Sequence, residues 1–204
     1  MTTRSTHSGK TSMLKAEIAY HISGTMTSHF ITPSEQYILN NAKGEVSVFN
    51  PQNNTVSQQV NYLFSTETTQ FYYFLNNQKS DLGLKKMGFL NKNTRFENDM
   101  MITNWIAPAK IASQIKEIEL VHKNGNPIYT KYIKPDGSIL KKVYYYNYLN
   151  TKALDFPQSV TQIEYFSAKD SVISKTSYSD FKINDLANSS ILDFKIPKNA
   201  KILK

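Results

Sequence analysis

Four histidines are the side chains best suited to metal binding or proton transfer in this sequence. They are His7, His21, His29 and His122. None belongs to an HxH or HExxH motif. His21 and His29 are eight residues apart, which on one extended strand separates them by roughly 26 Å. The sequence therefore predicts no metal site.

Glu117 and Glu119 have the spacing of a carboxylate pair on one face of a strand, as acid–base catalysis could use. They alternate with Ile118 and Leu120, a pattern typical of a strand with one face in solvent. The serines lack a GxSxG elbow. We therefore expect an outer surface here and predict no catalytic residue and no enzymatic activity.

Two further features exclude other kinds of chemistry. The stretch SGKTS ends like a phosphate-binding loop, but Arg4 stands at the position of the motif's first glycine, and no apolar strand precedes it. Cysteine is absent, which excludes thiolate catalysis and zinc–thiolate sites. No cofactor is predicted.

Charge and aromatic content leave several partners open. The net charge of +8 permits an anionic partner such as a lipid head-group surface. The lysines are dispersed and the only arginines are Arg4 and Arg95, so no nucleic-acid partner is expected. The run VYYYNYL could stack on sugars or bases, although tyrosines on both faces of a strand are more typical of a core with an amphipathic rim.

The elements that would position these residues are mostly strands. A chain of 204 residues favours one domain, with residues 1–12 as a flexible N-terminal segment and residues 13–204 as the folded part. The sequence contains no run of 18 apolar residues, so it predicts no transmembrane helix. The first residues are basic, but no apolar segment of a signal peptide follows them. We therefore expect either a cytosolic chain or a mature form that has lost its leader.

A period of two from Ala16 onward predicts one long, half-buried strand with a bend at Gly24. Residues 35–60 predict three short strands with turns at 40–44 and 50–54. Residues 66–78 have helical spacing, and Ser80 and Asp81 could cap a second short helix. Further strands are predicted near residues 89–96, 100–106, 115–122, 128–133, 139–148, 160–166, 171–182 and 191–196.

These elements predict a mainly β (α+β) fold class. So many half-apolar strands should form an incomplete, strongly curled antiparallel β-barrel of about 11 strands, with a short helical lid over an apolar cavity. The side chains expected to line that cavity are Ile22, Met26, Phe30, Val46, Val48, Trp105, Ile118 and Leu120. Those expected on the lid are Phe71, Phe74, Leu75, Leu82 and Met87.

Two stretches resemble the LolA/LolB-type family of outer-membrane lipoprotein carriers. The first is SEQYILNNAKGEVSVFNPQNNTVSQQV, residues 34–60. Its matching positions, with the preceding proline, are Pro33, Gly44, Val46, Val48, Phe49, Asn50 and Pro51. The second is SYSDFKINDLANSSILDFKIPKNAKIL, residues 177–203, which looks like the closing segment of that family with its F-x-I-P strand.

The resemblance implies a half-open barrel with a lid and a non-covalent activity, the shuttling of lipoproteins by their acyl chains across the periplasm. The implied partners are lipid-modified proteins or lipid acyl chains. An anionic membrane surface or membrane-bound proteins are the implied docking partners. A monomer in the periplasm is expected, with the leader absent from this chain.

Two departures from the family pattern leave the function open. Only residues 12–16 remain for the helix that usually precedes the first strand, and Thr32 stands where carrier members place an arginine that latches the lid. General lipid binding is thus as compatible with the sequence as lipoprotein transfer. An envelope interaction module with a filled core and a sugar- or nucleic-acid-binding β protein are compatible with it too.

Overall fold

The computed structural model describes residues 1–60, 65–66, 70–151, 154–187 and 190–203. These residues contain fourteen strands, one α-helix and two short 3-10 helices. The strands are β1 (Thr2–His7), β2 (Lys10–Tyr20), β3 (Met26–Thr32), β4 (Gln36–Asn40), β5 (Glu45–Asn50), β6 (Thr55–Val60), β7 (Leu90–Glu97), β8 (Met100–Ile106), β9 (Glu117–Lys123), β10 (Asn126–Ile133), β11 (Ile139–Asn150), β12 (Asp155–Ser167), β13 (Asp170–Ser177) and β14 (Lys201–Leu203). The helices are α1 (Gln70–Leu75) and the 3-10 turns Ala109–Ile111 and Asn184–Leu186.

The strands form one sheet in the hydrogen-bonded order β14-β6-β5-β4-β3-β2-β1-β13-β12-β11-β10-β9-β8-β7. Consecutive strands from β2 to β6 and from β7 to β13 pair antiparallel. The order begins at β14 and ends at β7, so the sheet is not closed. The predicted mainly β, open antiparallel fold class is confirmed, with fourteen strands among the described residues rather than about eleven.

The chain divides into two compact units. The first unit comprises Met1–Thr3, Met13–Tyr72 and Tyr178–Lys204, and the second comprises Arg4–Ser12 and Tyr73–Ser177. Each unit has its own buried apolar residues. The sequence had predicted a single folded part over residues 13–204.

The N-terminal segment forms a β-hairpin, whereas the sequence predicted flexibility for residues 1–12. Ser8 and Gly9 have φ values of 48° and 75°, the backbone of a tight turn that suits the twist of two strands. The Ser5 hydroxyl lies 2.8 Å from that of Ser174, which holds the hairpin to β13. Residues 12–16 belong to β2 and not to a helix.

The long strand predicted from Ala16 is in fact two strands joined by a turn. His21 N–H donates to the Thr25 carbonyl at 2.9 Å, and Gly24 N–H donates to the His21 carbonyl at 2.9 Å. Gly24 has a φ of 87°, so it supplies turn geometry rather than a bend within a strand. Ile22, predicted to line the cavity, is therefore at the turn and is 85% exposed.

The helical insertion differs from the prediction. Among the described residues α1 is the only α-helix, and residues 67–69 of the predicted first helix lie outside the described residues. The predicted second helix is a run of turns over residues 79–88. The Asp81 carboxylate accepts hydrogen bonds from the N–H groups of Gly83 and Lys85, and such local bonds compete with helix formation. No helix among the described residues has the length and apolarity to cross a bilayer.

The C-terminal segment also differs from the prediction. Residues 191–196 were expected to form the closing strand, but residues 190–193 form a turn instead. The Phe194 ring stacks on Tyr37 at 3.9 Å, and Tyr37 stacks on His29 at 4.2 Å. The last strand is β14, which pairs parallel with β6. The segment is thus fastened to the first unit by aromatic stacking and by β14.

This stacking generates a test of stability. Phe194→Ala removes the stacked ring, and we expect the free energy of unfolding to fall by about 2 kcal/mol. The control is Phe96→Ala, whose side chain is 76% exposed and whose loss should cost less than about 0.5 kcal/mol. Urea unfolding followed by circular dichroism measures both. Equal losses for the two variants would contradict a stabilising role for the stack.

Candidate functional site

One face of β2–β5 in the first unit is apolar. Residues that pair directly across antiparallel strands point to the same side of the sheet. The pairs Tyr20↔Met26, Met26↔Asn40 and Asn40↔Val46 therefore place Met26 and Val46 on one face. Alternation along β3 and β5 adds Phe30 and Val48 to it. We call this set the first apolar face: Ile18, Tyr20, Met26, Phe30, Ile38, Val46 and Val48.

The first apolar face retains contact with solvent. Ile18, Met26, Phe30, Ile38 and Val48 are all half-buried, and only Val46 of the named set is fully buried. On the opposite face, Phe49 is buried and has the Phe194 ring at 6.0 Å. Apolar side chains that stay in contact with water would be stabilised by any apolar group that covers them.

The residues just before and within α1 border this face in the first unit. The Ser65 hydroxyl donates to the Ala42 carbonyl at 2.7 Å, and the Thr66 hydroxyl donates to the Gly24 carbonyl at 2.8 Å. The Tyr72 ring lies edge-on to Tyr20 at 6.5 Å.

Phe71, a predicted lid residue, packs against Tyr178 at 5.8 Å. Burial raises the pKa of Tyr178 to about 12, so this phenol stays neutral at physiological pH. Both residues belong to the first unit. Phe71 therefore contributes an apolar aromatic contact there.

The second unit has an apolar face of its own. The pairs Trp105↔Ile118 and Thr103↔Leu120 place three predicted cavity residues on one side of β8 and β9. Leu120↔Thr130 and Thr130↔Val143 continue that side across β10 and β11. We call this set the second apolar face: Trp105, Ile118, Leu120, Val143, Tyr145 and Phe156. All six side chains are buried.

Trp105 is held in place by hydrogen bonds inside the second apolar face. Its indole Nε1–H donates to the Thr103 hydroxyl at 2.9 Å, and that hydroxyl donates to the Leu120 carbonyl at 3.2 Å. A buried indole N–H without an acceptor would be costly. The hydroxyl of Thr103 thus allows a tryptophan at this position.

A segment outside the sheet covers the second apolar face, and we call Tyr73–Phe89 the cover segment. The Phe74 ring lies 5.4 Å from Tyr145, 6.3 Å from Tyr148 and 5.8 Å from Phe156. The buried apolar residues of the segment are Tyr73, Phe74, Leu82, Leu84 and Phe89. Of the remaining predicted lid residues, Leu75 is half-buried and Met87 is 43% exposed.

Hydrogen bonds among four polar residues fasten the cover segment to the sheet. Lys79 Nζ donates to Asp155 Oδ2 at 2.7 Å and to Asn126 Oδ1 at 2.6 Å. His122 Nε2–H donates to the Lys79 carbonyl at 2.9 Å. We call these residues the Lys79 cluster. Lys79 is buried and the Asp155 side chain is 35% exposed, so the ion pair is partly buried. Loss of one partner would leave the desolvated Lys79 without its counter-charge, so the pair favours one position of the segment.

Sequence reasoning missed the Lys79 cluster. A lysine between the apolar residues Phe74 and Leu82 was the only local signal. Its partners Asn126 and Asp155 are 47 and 76 residues away in sequence, and spacing alone could not pair them.

Seven of the eight predicted cavity residues fall into two groups, and the eighth, Ile22, is at the exposed turn and belongs to neither. Met26, Phe30, Val46 and Val48 lie on the first apolar face, and Trp105, Ile118 and Leu120 lie on the second. A cavity of about 520 Å³ also opens in the second unit, and none of the predicted residues lines it. Its lining residues are Ser113, Gln114, Lys134, Pro135, Asp136 and Leu140. A single hollow lined by all the predicted residues stays a prediction.

Glu117 and Glu119 alternate with Ile118 and Leu120 along β9, so they point away from the second apolar face. Glu119 pairs with Lys131 at 2.9 Å and with Arg95 at 3.3 Å. Partial burial by itself raises the pKa of Glu119, but the hydrogen bonds and charges of these two cations outweigh that effect and lower it. The carboxylate is therefore a stable anion in an ion-pair network.

The packing of Gly83 against Tyr73 allows a test of the cover segment. Gly83 has a φ of 78°, and a Cβ there would lie 1.9 Å from the Tyr73 ring. Gly125 has a φ of 74° but open space around it. Gly125→Ala should cost about 1–2 kcal/mol from backbone strain alone. Gly83→Ala should cost at least about 2 kcal/mol more in the free energy of unfolding, because the ring must also move. Equal costs would show that Tyr73 does not pack there.

His122 allows a test by pH. Burial, reinforced by the charge of Lys79, lowers its pKa from the ordinary value of 6.5, although the hydrogen bond to the Lys79 carbonyl and the charge of Asp81 oppose this. The unfolded chain thus binds a proton more readily than the folded chain. The contribution of His122 to the free energy of unfolding should be fully present above about pH 6.5 and should fall as the pH drops below that value. His122→Gln should reduce this slope in denaturant titrations, and His21→Gln, at an exposed turn, should not. An unchanged slope in His122→Gln would contradict the assignment.

Comparison with known proteins gives a relationship of fold. No family model and no curated protein matches the sequence. Among solved structures, a LolA superfamily protein from Nitrosomonas europaea aligns with a TM-score of 0.57 and 13% identity, over 93% of this chain and 86% of that one. A domain assigned to outer membrane lipoprotein sorting from Vibrio parahaemolyticus aligns with a TM-score of 0.52 and 12% identity, over 87% and 81%.

A DUF1329 family protein from Desulfovibrio piger also aligns, with a TM-score of 0.52 and 8% identity, over 93% of this chain and 88% of that one. At such identities the likeness concerns the fold alone. It agrees with the resemblance noted in residues 34–60 and 177–203. The chain has the LolA-like fold.

Proposed function

We propose that the protein is a non-enzymatic periplasmic carrier that binds lipid acyl chains, including those of lipid-modified proteins. The observation that carries the proposal is the first apolar face, whose apolar side chains remain half-buried within the first unit. The likeness in fold to a lipoprotein-sorting domain supports the proposal and the periplasmic location.

The composition of the first apolar face favours a hydrocarbon chain over a polar ligand. The residues that pair across β2–β5 on the same side of the sheet as this face, from Ala16 to Val48, include no Asp, Glu, Lys or Arg. The polar residues on that side, such as Ser28 and Asn40, are uncharged. A charged head group would find no ion-pair partner there, whereas a methylene chain would remove apolar surface from water.

The expected affinity suits a carrier. Burial of an acyl chain contributes roughly 0.8 kcal/mol per CH₂, so a partly covered chain of about a dozen carbons gains several kcal/mol. That is comparable with what the same chain gains in a membrane. Met26 and Phe30 are side chains that can adjust to chains of different shape, which favours exchange over permanent capture.

The second apolar face would contribute after the cover segment moves. Displacement of the segment removes Phe74 from Tyr145 and Phe156 and separates Lys79 from Asp155. Each step costs free energy, so the segment stays in place without ligand. An acyl chain that replaces Phe74 on this face would offset the loss of apolar burial.

The test uses a dansyl-labelled fatty acid and a triacylated lipopeptide as probes. The variant Ile38→Thr with Val48→Thr keeps β-branched side chains but places two hydroxyls on the first apolar face. At about 1 kcal/mol for each site, the affinity for both probes should fall about 25-fold. Fluorescence titration measures the first probe directly and the second by competition.

The control makes the same chemical changes away from this face. Val60 is 76% exposed on β6, and Ile106 is 43% exposed on β8. Ile106→Thr with Val60→Thr should leave both affinities unchanged. Failure of the wild-type protein to bind either probe, or equal affinities in all three proteins, would contradict the proposal. Native mass spectrometry of the purified protein provides a second test, because a carrier should retain lipid from the cells that made it.

A further inference from the structure

The sheet of the second unit has a broad outer face opposite the second apolar face. Val143 and Tyr145 point to the covered side, so the alternating residues of β11 point outward. Three rows of paired residues cross β11, β12 and β13 on this side: Lys142↔Ile163↔Ile173, Tyr144↔Thr161↔Lys175 and Tyr146↔Ser159↔Ser177. We call these nine residues the tyrosine–lysine face.

The tyrosine–lysine face combines exposed rings with positive charge. Tyr144, Tyr146 and Ile173 are 37%, 41% and 40% exposed. Lys175 is exposed, and Lys142 lies over the ring of Tyr165 at 5.8 Å. None of the nine residues is acidic. The nearby Glu164 pairs with Lys141 across β11 and β12, on the other side of the sheet.

We propose that the tyrosine–lysine face docks the protein on an anionic lipid bilayer. Tyrosine has an apolar ring and a polar hydroxyl, so it suits the boundary between head groups and hydrocarbon. Lysine can lay its stem on apolar surface and keep its ammonium group among phosphates. The exposed side chains lie on β11 and β13, with half-buried residues of β12 between them, and together they form a surface wide enough to lie on a bilayer. The net charge of +8 favours approach to such a surface.

This docking is separate from the proposed binding of acyl chains. The tyrosine–lysine face and the second apolar face lie on opposite sides of the same strands, since Tyr144 and Tyr146 alternate with Tyr145. A change of charge on the outer side leaves Tyr145 and Phe156 in place. Failure of either proposal can therefore be told from failure of the other.

The experiment measures flotation of the protein with vesicles made from one part phosphatidylglycerol and two parts phosphatidylcholine. Each lysine near an anionic surface should contribute about a 5-fold gain in affinity. Lys142→Gln with Lys175→Gln should then weaken binding about 25-fold. The control, Lys110→Gln with Lys116→Gln, removes the same charge at exposed sites away from the face and should have a much smaller effect.

Two further arms separate the parts of the proposal. Tyr144→Thr with Tyr146→Thr keeps the charge and should weaken binding at least about 5-fold, because the rings no longer enter the interface. Wild-type binding should fall steeply as salt rises to about 0.15 M, while uptake of the dansyl fatty acid should hardly change. Vesicles of phosphatidylcholine alone should bind weakly.

Several results would overturn docking by this face. One is equal weakening by the two lysine pairs, which would show a general charge effect. Another is wild-type affinity in the Lys142 and Lys175 variant, or binding that does not depend on the anionic lipid. Thermal unfolding shows whether each variant is folded. If the double lysine variant does not fold, the single variant Lys175→Gln, at an exposed side chain, takes its place in the experiment.

Discussion

The packing of Phe74 on Tyr145 and Phe156 is the interaction on which the second unit depends. Those two rings belong to the second apolar face, whose six side chains from Trp105 to Phe156 are all buried, and exposure of such a cluster to water is unfavourable. Every described strand belongs to the one sheet, so the cover of this face comes from outside the strands, from the cover segment Tyr73–Phe89 of the same unit. The second unit is therefore a sheet with one face covered by a segment of turns and part of one short helix.

The fastening of that segment combines two kinds of interaction. Its apolar residues contribute non-directional burial, whereas the Lys79 cluster fixes one position through directed hydrogen bonds. The segment has few backbone bonds to the sheet, since it is not a strand. We propose that this cover leaves as one piece when its ion pair opens and an apolar ligand replaces its rings. The first apolar face, by contrast, is already half open.

The strict alternation of side chains along strands decided how much of the fold and of the candidate site could be predicted from the sequence. The strands over residues 36–60 follow from turns rich in Asn and Gly, and the shared face of Met26, Phe30, Val46 and Val48 follows from period two. The same alternation misplaced Ile22, because the pattern continues through the Gly24 turn while the chain reverses. Residues 191–196 were mistaken for an ordinary closing strand, since the stacking of Phe194 on Tyr37 depends on residues more than a hundred positions apart. The Lys79 cluster left no local pattern for the same reason.

The central claim is that apolar sheet faces in this fold receive acyl chains under a displaceable cover. Hydrogen exchange of residues 73–89, compared with β9–β12 and repeated with the triacylated lipopeptide, tests it most directly. The account predicts that the cover segment exchanges faster than the central strands and that the lipopeptide changes its exchange while the strands stay protected. A cover segment as protected as those strands and indifferent to the lipopeptide would contradict the account, because the segment would then be part of a permanent core.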